Sequence, residues 1–434
     1  MKFLMLLYQI QDYGGIINHA EHLAKGIKEN GHDVDFLQLV PKKEVKSTRR
    51  ELKDKHQYRT YGTGYLHHQA RGWVNLPKVA YLDKGIRQRF KNLCSTYDAV
   101  LWHIPVPTLN KDNKNITVWQ DLYDHGTKNI AIIHDGNLPK LYPHLLQVSE
   151  HFHAAVCVHE AAFNSAACLD IPRKMILNPF CLARSCRVPP KFNRYDDFDS
   201  RSGFAAVQIF KAWKRMHTLV NAIPHMHNTE KKLIGGAGIE YQYMTSENKC
   251  KPQYYNEAGE RIWDAALRSG MVYQGVIPNS SVHTLLGEVK LQIDPSWSVK
   301  YSGYGAHFNR TTVEAIIQGA VPVATDLGMA NSKVFLKGEN YIELPHKATP
   351  KEFAEIIDNA LLDKAQWTHI RERNHTLIKH FEQSYVAKQY ADLVTSLNGT
   401  VTGKPDATTL ESCKKNLEFF NIRPNMSPTQ EELF

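Results

Sequence analysis

The chain has 434 residues, with 53 lysines and arginines against 44 aspartates and glutamates for a net charge of +9, and 42% of its residues are hydrophobic. That length accommodates two or three domains, each able to bury a core, and it excludes both a charge-dominated disordered chain and a small disulfide scaffold. Seven cysteines (Cys94, Cys157, Cys168, Cys181, Cys186, Cys250 and Cys413) include no CxxC pair. They suggest neither a disulfide framework nor a thiolate zinc site, and a reducing cytoplasm is the simplest compartment.

The opening run MKFLMLLYQI turns polar at Gln11 and Asp12, too soon for a secretory signal, and no stretch approaches the roughly 20 apolar residues of a membrane span. Residues 3 to 9 read instead as a first strand. Further strands are predicted at Val34 to Leu39, Ala99 to Trp102, Ile130 to Ile133, Ala154 to Val158 and Met175 to Leu177. These runs are apolar with little alternation, as strands buried on both faces are. Between the first two, Ile17, Ala20, Leu23, Ala24 and Ile27 share one helical face and Gly31 follows as a stop signal. Strand, helix, strand at this spacing implies a parallel sheet.

Charge is concentrated early. Lys42 to Lys91 holds fourteen lysines and arginines and four acids, a net +10 that leaves the remainder at −1. Tyr58, Tyr61, Tyr65, Trp73, Tyr81 and Phe90 are interleaved with these charges. Such a surface suits phosphates and stacked bases or sugars, with Arg49, Arg50, Arg59, Arg71 and Trp73 as candidate acceptor contacts; the alternative is a solvated loop plus helix.

A polar stretch with two prolines interrupts the pattern, so residues 191–203 are expected to link a domain over 1–190 to a second over 204–380, with a terminal helix and polar tail over 381–434. Its acidic run YDDFDS is expected to be solvated linker rather than a metal-binding cluster. Beyond it, strands are predicted at Ala205 to Phe210, Lys232 to Ile234, Met271 to Tyr273, Leu291 to Ile293, Val321 to Thr325 and Tyr341 to Leu344. The fold class is therefore α/β, two doubly wound Rossmann-like domains, with ligands expected at the carboxyl ends of the strands and in a cleft between the domains. A further helix is expected around Leu410 to Phe420.

Several motifs bear chemistry. Gly14 and Gly15 open the first helix, where a tight turn and a helix N-terminus favour an anion. In VQIFKAWKRMHTLVNAI, Lys211 and Lys214 follow a strand and could balance a leaving pyrophosphate. LQIDPSW ends another strand, and Glu314 lies near the start of the helix after it, where a carboxylate can accept both hydroxyls of a ribose.

In order, GGIINHAEHLAKGIKENGHDV, AIIHDG, VQIFKAWKRMHTLVNAI, KKLIGGAG, VYQGVIP, the Glu314 segment and HFEQSYVAKQYADLV resemble the GT-B nucleotide-sugar glycosyltransferases of the retaining family 4 type, over residues 1 to 395. The resemblance implies that Gly14 and Gly15 face a sugar diphosphate and that His134 and Asp135 lie beside the acceptor, Asp135 orienting it or assisting proton transfer. It also implies that Lys214 binds the diphosphate, that Val276 meets the base through its backbone and that Glu314 holds the ribose. Two positions depart from the family: Ala306 stands where a glutamate is usual, and Ile209 where an arginine is. Lys211 and Arg310 are the candidates to restore the charge, and His307 or Asn309 to replace the sugar contact. No metal is required by this arrangement, and a UDP-sugar is the expected donor.

The basic N-terminal segment implies an anionic acceptor, either double-stranded DNA or a phosphate-bearing lipid or glycan. Its interleaved aromatics favour DNA, and the pattern is also similar to phage DNA glycosyltransferases that decorate hydroxymethylated pyrimidines, which would place the chain in a host cytoplasm. A UDP-sugar epimerase and a nucleic-acid-binding pseudoenzyme are the readings from other classes.

Overall fold

The computed structural model describes residues 1–7, 15–41, 70–76, 84–103, 122–134, 138, 145–182, 188–296, 309–325 and 334–397. Two compact units divide the chain, one formed by Met1–Cys181 with the segment that begins at His380, the other by Leu182–Lys379.

The first unit is built on seven parallel strands: β1 (Lys2–Leu7), β2 (Asp33–Pro41), β3 (Ala70–Leu76), β4 (Ala99–Trp102), β5 (Lys128–Ile133), β6 (Ala154–Cys157) and β7 (Arg173–Met175). Their order in the sheet is β3-β2-β1-β4-β5-β6-β7. β1 lies inside it, pairing Phe3 with Val34 on one side and with Ala99 on the other. Successive side chains of a strand face opposite ways. Leu4 and Leu6 therefore enter one core with Val100, Trp102 and Ile133, while Phe3, Met5 and Leu7 enter the other with Ala99, Leu101 and Ile132. Both layers are lined by buried apolar side chains, which is why the strand sequences lack polar alternation.

The helix Gly15–Glu29 covers the second layer with the face read from the sequence, since Ile17, Ala20, Leu23, Ala24 and Ile27 are all buried. Beside it lies the helix Gln383–Ser396, whose Val386, Ala387, Tyr390 and Val394 join the same core. The terminal helix is thus part of the first unit's interior rather than an appendage after the second. β3 was not expected from the sequence: ARGWVNL carries an arginine, a glycine and an asparagine in seven residues, so it lacks the apolar run that marks a strand buried on both faces, and it sits at the sheet edge. Helix Lys84–Cys94 follows it. The helix expected around Leu410 to Phe420 lies outside the described residues.

The second unit carries six parallel strands, β8 (Phe204–Val207), β9 (Lys232–Gly235), β10 (Met271–Tyr273), β11 (Leu291–Asp294), β12 (Val321–Thr325) and β13 (Ile342–Leu344), in the order β10-β9-β8-β11-β12-β13. The stretch 191–203, expected to be a linker, is folded into this unit. Phe198 is buried against Trp367 with ring centroids 5.2 Å apart. Asp197 accepts from Arg201 Nε at 2.9 Å and Nη2 at 2.7 Å and also pairs with Arg371, both arginines being buried. YDDFDS is therefore not a solvated linker: Asp197 neutralises two arginines that also donate to the backbone carbonyls of Leu286, Val289, Gln318 and Lys191. The partner Arg371 lies 174 residues away, which hid this role from local reading.

Contrary to the expectation of reduced cysteines, Cys181 is disulfide-bonded, while Cys94, Cys157 and Cys250 are not. Among the described residues no helix is long and apolar enough to cross a membrane.

Candidate functional site

At the carboxyl ends of β8, β11 and β12, polar side chains are buried where a Rossmann-like sheet presents its ligand-binding edge. β8 runs out at Val207, the 3₁₀ turn Ala212–Lys214 follows, and Arg215 enters the left-handed region at φ 49° before the helix Met216–Ala222 begins. This turn buries Lys214 to 6% exposure. β11 ends in Asp294, itself buried, and Ser296 follows two residues later.

Lys214 Nζ donates to Asn309 Oδ1, and the same amide donates through Nδ2 to Asp294 Oδ2 and, at 3.0 Å, to Ser296 Oγ. Gln208 Nε2 donates to Asp294 Oδ1 at 2.9 Å, the Ser296 N–H donates to the same oxygen at 3.1 Å, and Thr312 Oγ1 donates to Oδ2 at 3.3 Å. Ser296 Oγ donates to Gln208 Oε1 at 2.9 Å, and Thr325 Oγ1 donates to the Ser296 carbonyl. Burial pushes the Lys214 ammonium down to about 8, with Asp294 opposing the shift and Lys211 adding to it. For Asp294, burial pushes upward, but the Lys214 charge and the hydrogen bonds from Ser296 and Asn309 outweigh it and hold the carboxyl below its ordinary value.

Asn309 occupies the N-cap of the helix Arg310–Gln318, yet its side chain makes no capping hydrogen bond because it bridges Lys214 and Asp294 instead. One turn into that helix, Glu314 is 3% exposed and lies 3.7 Å from Arg310 Nε. His283 is nearby; burial pushes its imidazole down, with Glu314 opposing and Arg310 reinforcing the shift. The GGAG loop packs directly on the backbone leaving β8: a Cβ on Gly236 (φ +127°) would stand 1.7 Å from the Gln208 carbonyl oxygen, and one on Gly238 2.3 Å from that of Phe210. Only glycine permits this approach.

In the first unit, three imidazoles gather at the carboxyl ends of β4 and β5. His103 follows β4, His134 follows β5, and His19 reaches in from the helix Gly15–Glu29. The His103 and His134 rings stack with centroids 5.6 Å apart, and His19 meets His134 edge-on at 4.9 Å. His19 Nδ1 donates to Asn178 Oδ1 at 2.8 Å, so its Nε2 is the acceptor for the Tyr390 hydroxyl at 3.4 Å. His159 Nδ1 accepts from the Ala162 N–H, leaving Nε2 to donate to the His134 carbonyl at 3.0 Å. Burial, with coulombic repulsion between the His19 and His103 rings on protonation adding, holds His103 well below the ordinary imidazole value.

The sequence-derived candidates are distributed unevenly over this arrangement. Lys214, Asn309, Arg310 and Glu314 come together in the second unit, with Lys211 exposed one turn before Lys214. Val276 lies beyond β10 and is 75% exposed, and Ile209 is also exposed. Gly15 is the first residue of its helix. Arg71 and Trp73 lie on β3. Gly14, Arg49, Arg50, Arg59, Asp135, Ala306 and His307 lie outside the described residues. Sequence reasoning assigned nothing to Asp294, Gln208, Ser296, Thr312 or Thr325. Asp294 and Ser296 stood in the quoted LQIDPSW, and a carboxylate ending an apolar strand was the available signal. Among the described residues no group of three or more His, Cys, Asp or Glu side chains could hold a metal ion.

Two parallel α/β units with a buried polar cluster at the strand ends of the second constitute a GT-B fold. The chain is similar in structure to Anabaena HepE crystallised with UDP, at TM-score 0.63 and 16% identity over 92% of this chain and 100% of that one. It is also similar to the pneumococcal O-GlcNAc transferase GtfA in complex with UDP and GlcNAc, at TM-score 0.60 and 10% identity over 92% and 99%. An alpha-glucosyltransferase in complex with UDP-glucose and DNA containing an abasic site matches at TM-score 0.58 and 13% identity over 91% and 100%. No family model matches the chain, and no curated protein matches it.

Proposed function

We propose that this chain is a retaining glycosyltransferase, of the family 4 type, that moves a sugar from a UDP-sugar to a hydroxyl, with hydroxymethylated pyrimidines of phage DNA as the acceptor. The observation that carries the reading is the cluster in which Asn309 joins the buried Lys214 to the buried Asp294, followed one turn later by the buried Glu314. As the glycosidic bond to the leaving diphosphate breaks, negative charge grows on its oxygens, and a fixed cation in a water-poor setting stabilises that charge more than it stabilises the ground state. Lys214 is assigned this role, with Lys211 and Arg310 contributing, and Glu314 is assigned the ribose hydroxyls. The backbone at Val276 is assigned the base, and Gly14 and Gly15 the diphosphate. His134 and Asp135 are assigned to the acceptor, whose proton passes to the leaving phosphate in a retaining transfer.

Two features support DNA as the acceptor: the +10 segment with interleaved aromatics, and the likeness to an alpha-glucosyltransferase in complex with UDP-glucose and DNA containing an abasic site. Arg49, Arg50, Arg59, Arg71 and Trp73 are the proposed contacts, and the modified base would leave the stack to react.

Calorimetry with UDP tests the donor half. Wild-type protein should bind UDP, and Glu314→Ala should weaken binding roughly 10- to 100-fold, the worth of a pair of charge-assisted hydrogen bonds. Absence of UDP binding, or affinity untouched by Glu314→Ala, overturns the assignment.

A further inference from the structure

The Asp294 carboxylate is an unusual companion for a site that must hold a polyanion, because it places negative charge beside the cation assigned to that anion. Its surroundings explain its presence. Both oxygens are taken up by neutral donors: Gln208 Nε2 and the Ser296 N–H on Oδ1, Asn309 Nδ2 and Thr312 Oγ1 on Oδ2. The carboxylate is thus fixed from β8, β11 and the helix Arg310–Gln318 at once, and it meets Lys214 through the Asn309 amide. That amide has given up the cap of its own helix to make the bridge.

We propose that Asp294 is a positioning residue for the donor: through Asn309 it fixes the place of the Lys214 ammonium and supplies its counter-charge, so that a buried lysine can meet a diphosphate. The inference rests on the reading of Lys214 as the diphosphate ligand and names what makes that ligand competent. Among the described residues the charged groups bearing on Lys214 are Asp294 from β11 and Lys211 from the residues just before its own turn; the helix Arg310–Gln318 presents the neutral Asn309, β8 leads to the neutral Gln208, and Trp213 lies 4.4 Å from Nζ to its ring centroid. Burial and Lys211 disfavour the charged lysine, and Asp294 is the charge that opposes them. Because the carboxylate acts through neutral amides rather than in direct contact, an arriving diphosphate can take the ammonium without first breaking an ion pair.

The test is the pH dependence of UDP affinity in Asp294→Asn, which keeps the shape and removes the charge. Wild-type affinity should decline as pH rises through about 8, where Lys214 loses its proton. In Asp294→Asn this decline should begin about one pH unit lower, with affinity at pH 8 reduced roughly fivefold. Lys214→Arg, always charged, should abolish the decline, and Lys214→Arg with Asp294→Asn should lack it too. A purely structural Asp294 would lower affinity equally at every pH and leave the decline in place, and that result overturns the proposal. Should Asp294→Asn fail to fold, Asn309→Ala cuts the same bridge and should move the decline in the same direction. Titration of the Lys214 ε-carbon by NMR in UDP-free protein separates the two readings. Wild-type protein that binds no UDP overturns the donor assignment, whereas a Lys214 titration unmoved by Asp294→Asn overturns the role of Asp294 whether or not UDP binds.

Discussion

His125 shows how a single buried group ties this fold to pH. Its ring is 7% exposed, Nδ1 accepts from the Thr127 N–H at 3.3 Å, and burial pushes its imidazole down to about 4. The unfolded chain, with an ordinary imidazole near 6.5, takes up a proton that the folded chain refuses. Stability from this residue is therefore complete above about pH 6.5 and is lost as pH falls from there toward 4, by up to about 3 kcal/mol. His103 acts in the same direction, its burial reinforced by His19. Thermal melts should show Tm falling between pH 6.5 and 4, and His125→Asn should flatten that fall; an equally steep fall in the variant would contradict the assignment. The residue scale is also where the sequence was least legible. Glu314 and Lys214 stood at positions that motif spacing could single out. Asp294, Gln208, Ser296, Thr312 and Thr325 act through one network spanning more than a hundred residues of chain, and no local period marks them.

Elements were more legible because burial on both faces forces apolar runs, so the other strands of both sheets could be read with small shifts, β7 beginning two residues before its expected start. The edge strand β3 escaped for the opposite reason. The pairing of the first and last helices was not visible at all, since Gly26 and Gln383 are separated by most of the chain. A Cβ on Gly26 would lie 2.0 Å from the Gln383 carbonyl oxygen and 3.0 Å from the Ala387 side chain, so the two helices approach backbone to backbone. Helix propensity alone would make Gly26→Ala stabilising by about 1 kcal/mol. Overpacking against a backbone atom costs about 1 to 3 kcal/mol and should prevail. With a couple of kcal/mol lost, the first unit's Tm should fall by roughly 4 to 8 °C. A raised Tm would show that the helices separate freely at this point.

For the whole molecule, the charge distribution matters more than the total. With +10 between Lys42 and Lys91 and −1 elsewhere, a polyanion such as the proposed acceptor would be attracted by one segment of the first unit. DNA binding should weaken steeply between 50 and 200 mM salt, with a log–log slope near −0.9 for each phosphate neutralised. Arg49→Ala and Arg50→Ala should each reduce that slope by about one, and affinity insensitive to salt would contradict the assignment of this segment to DNA. The GT-B architecture followed from the order of strands and motifs, while the division of the chain did not: the stretch 191–203 and the terminal helix each belong to a unit through contacts with residues remote in sequence.

The most direct measurement incubates the protein with a panel of UDP-sugars and duplex DNA containing hydroxymethylcytosine or hydroxymethyluracil, digests the DNA and weighs the nucleosides by mass spectrometry. A hexose or pentose increment on the hydroxymethylated nucleoside, lost in Lys214→Ala, is the predicted result. Unmodified nucleosides across the panel, with UDP binding intact, would contradict DNA as the acceptor and turn the same donor site toward a glycan or lipid hydroxyl.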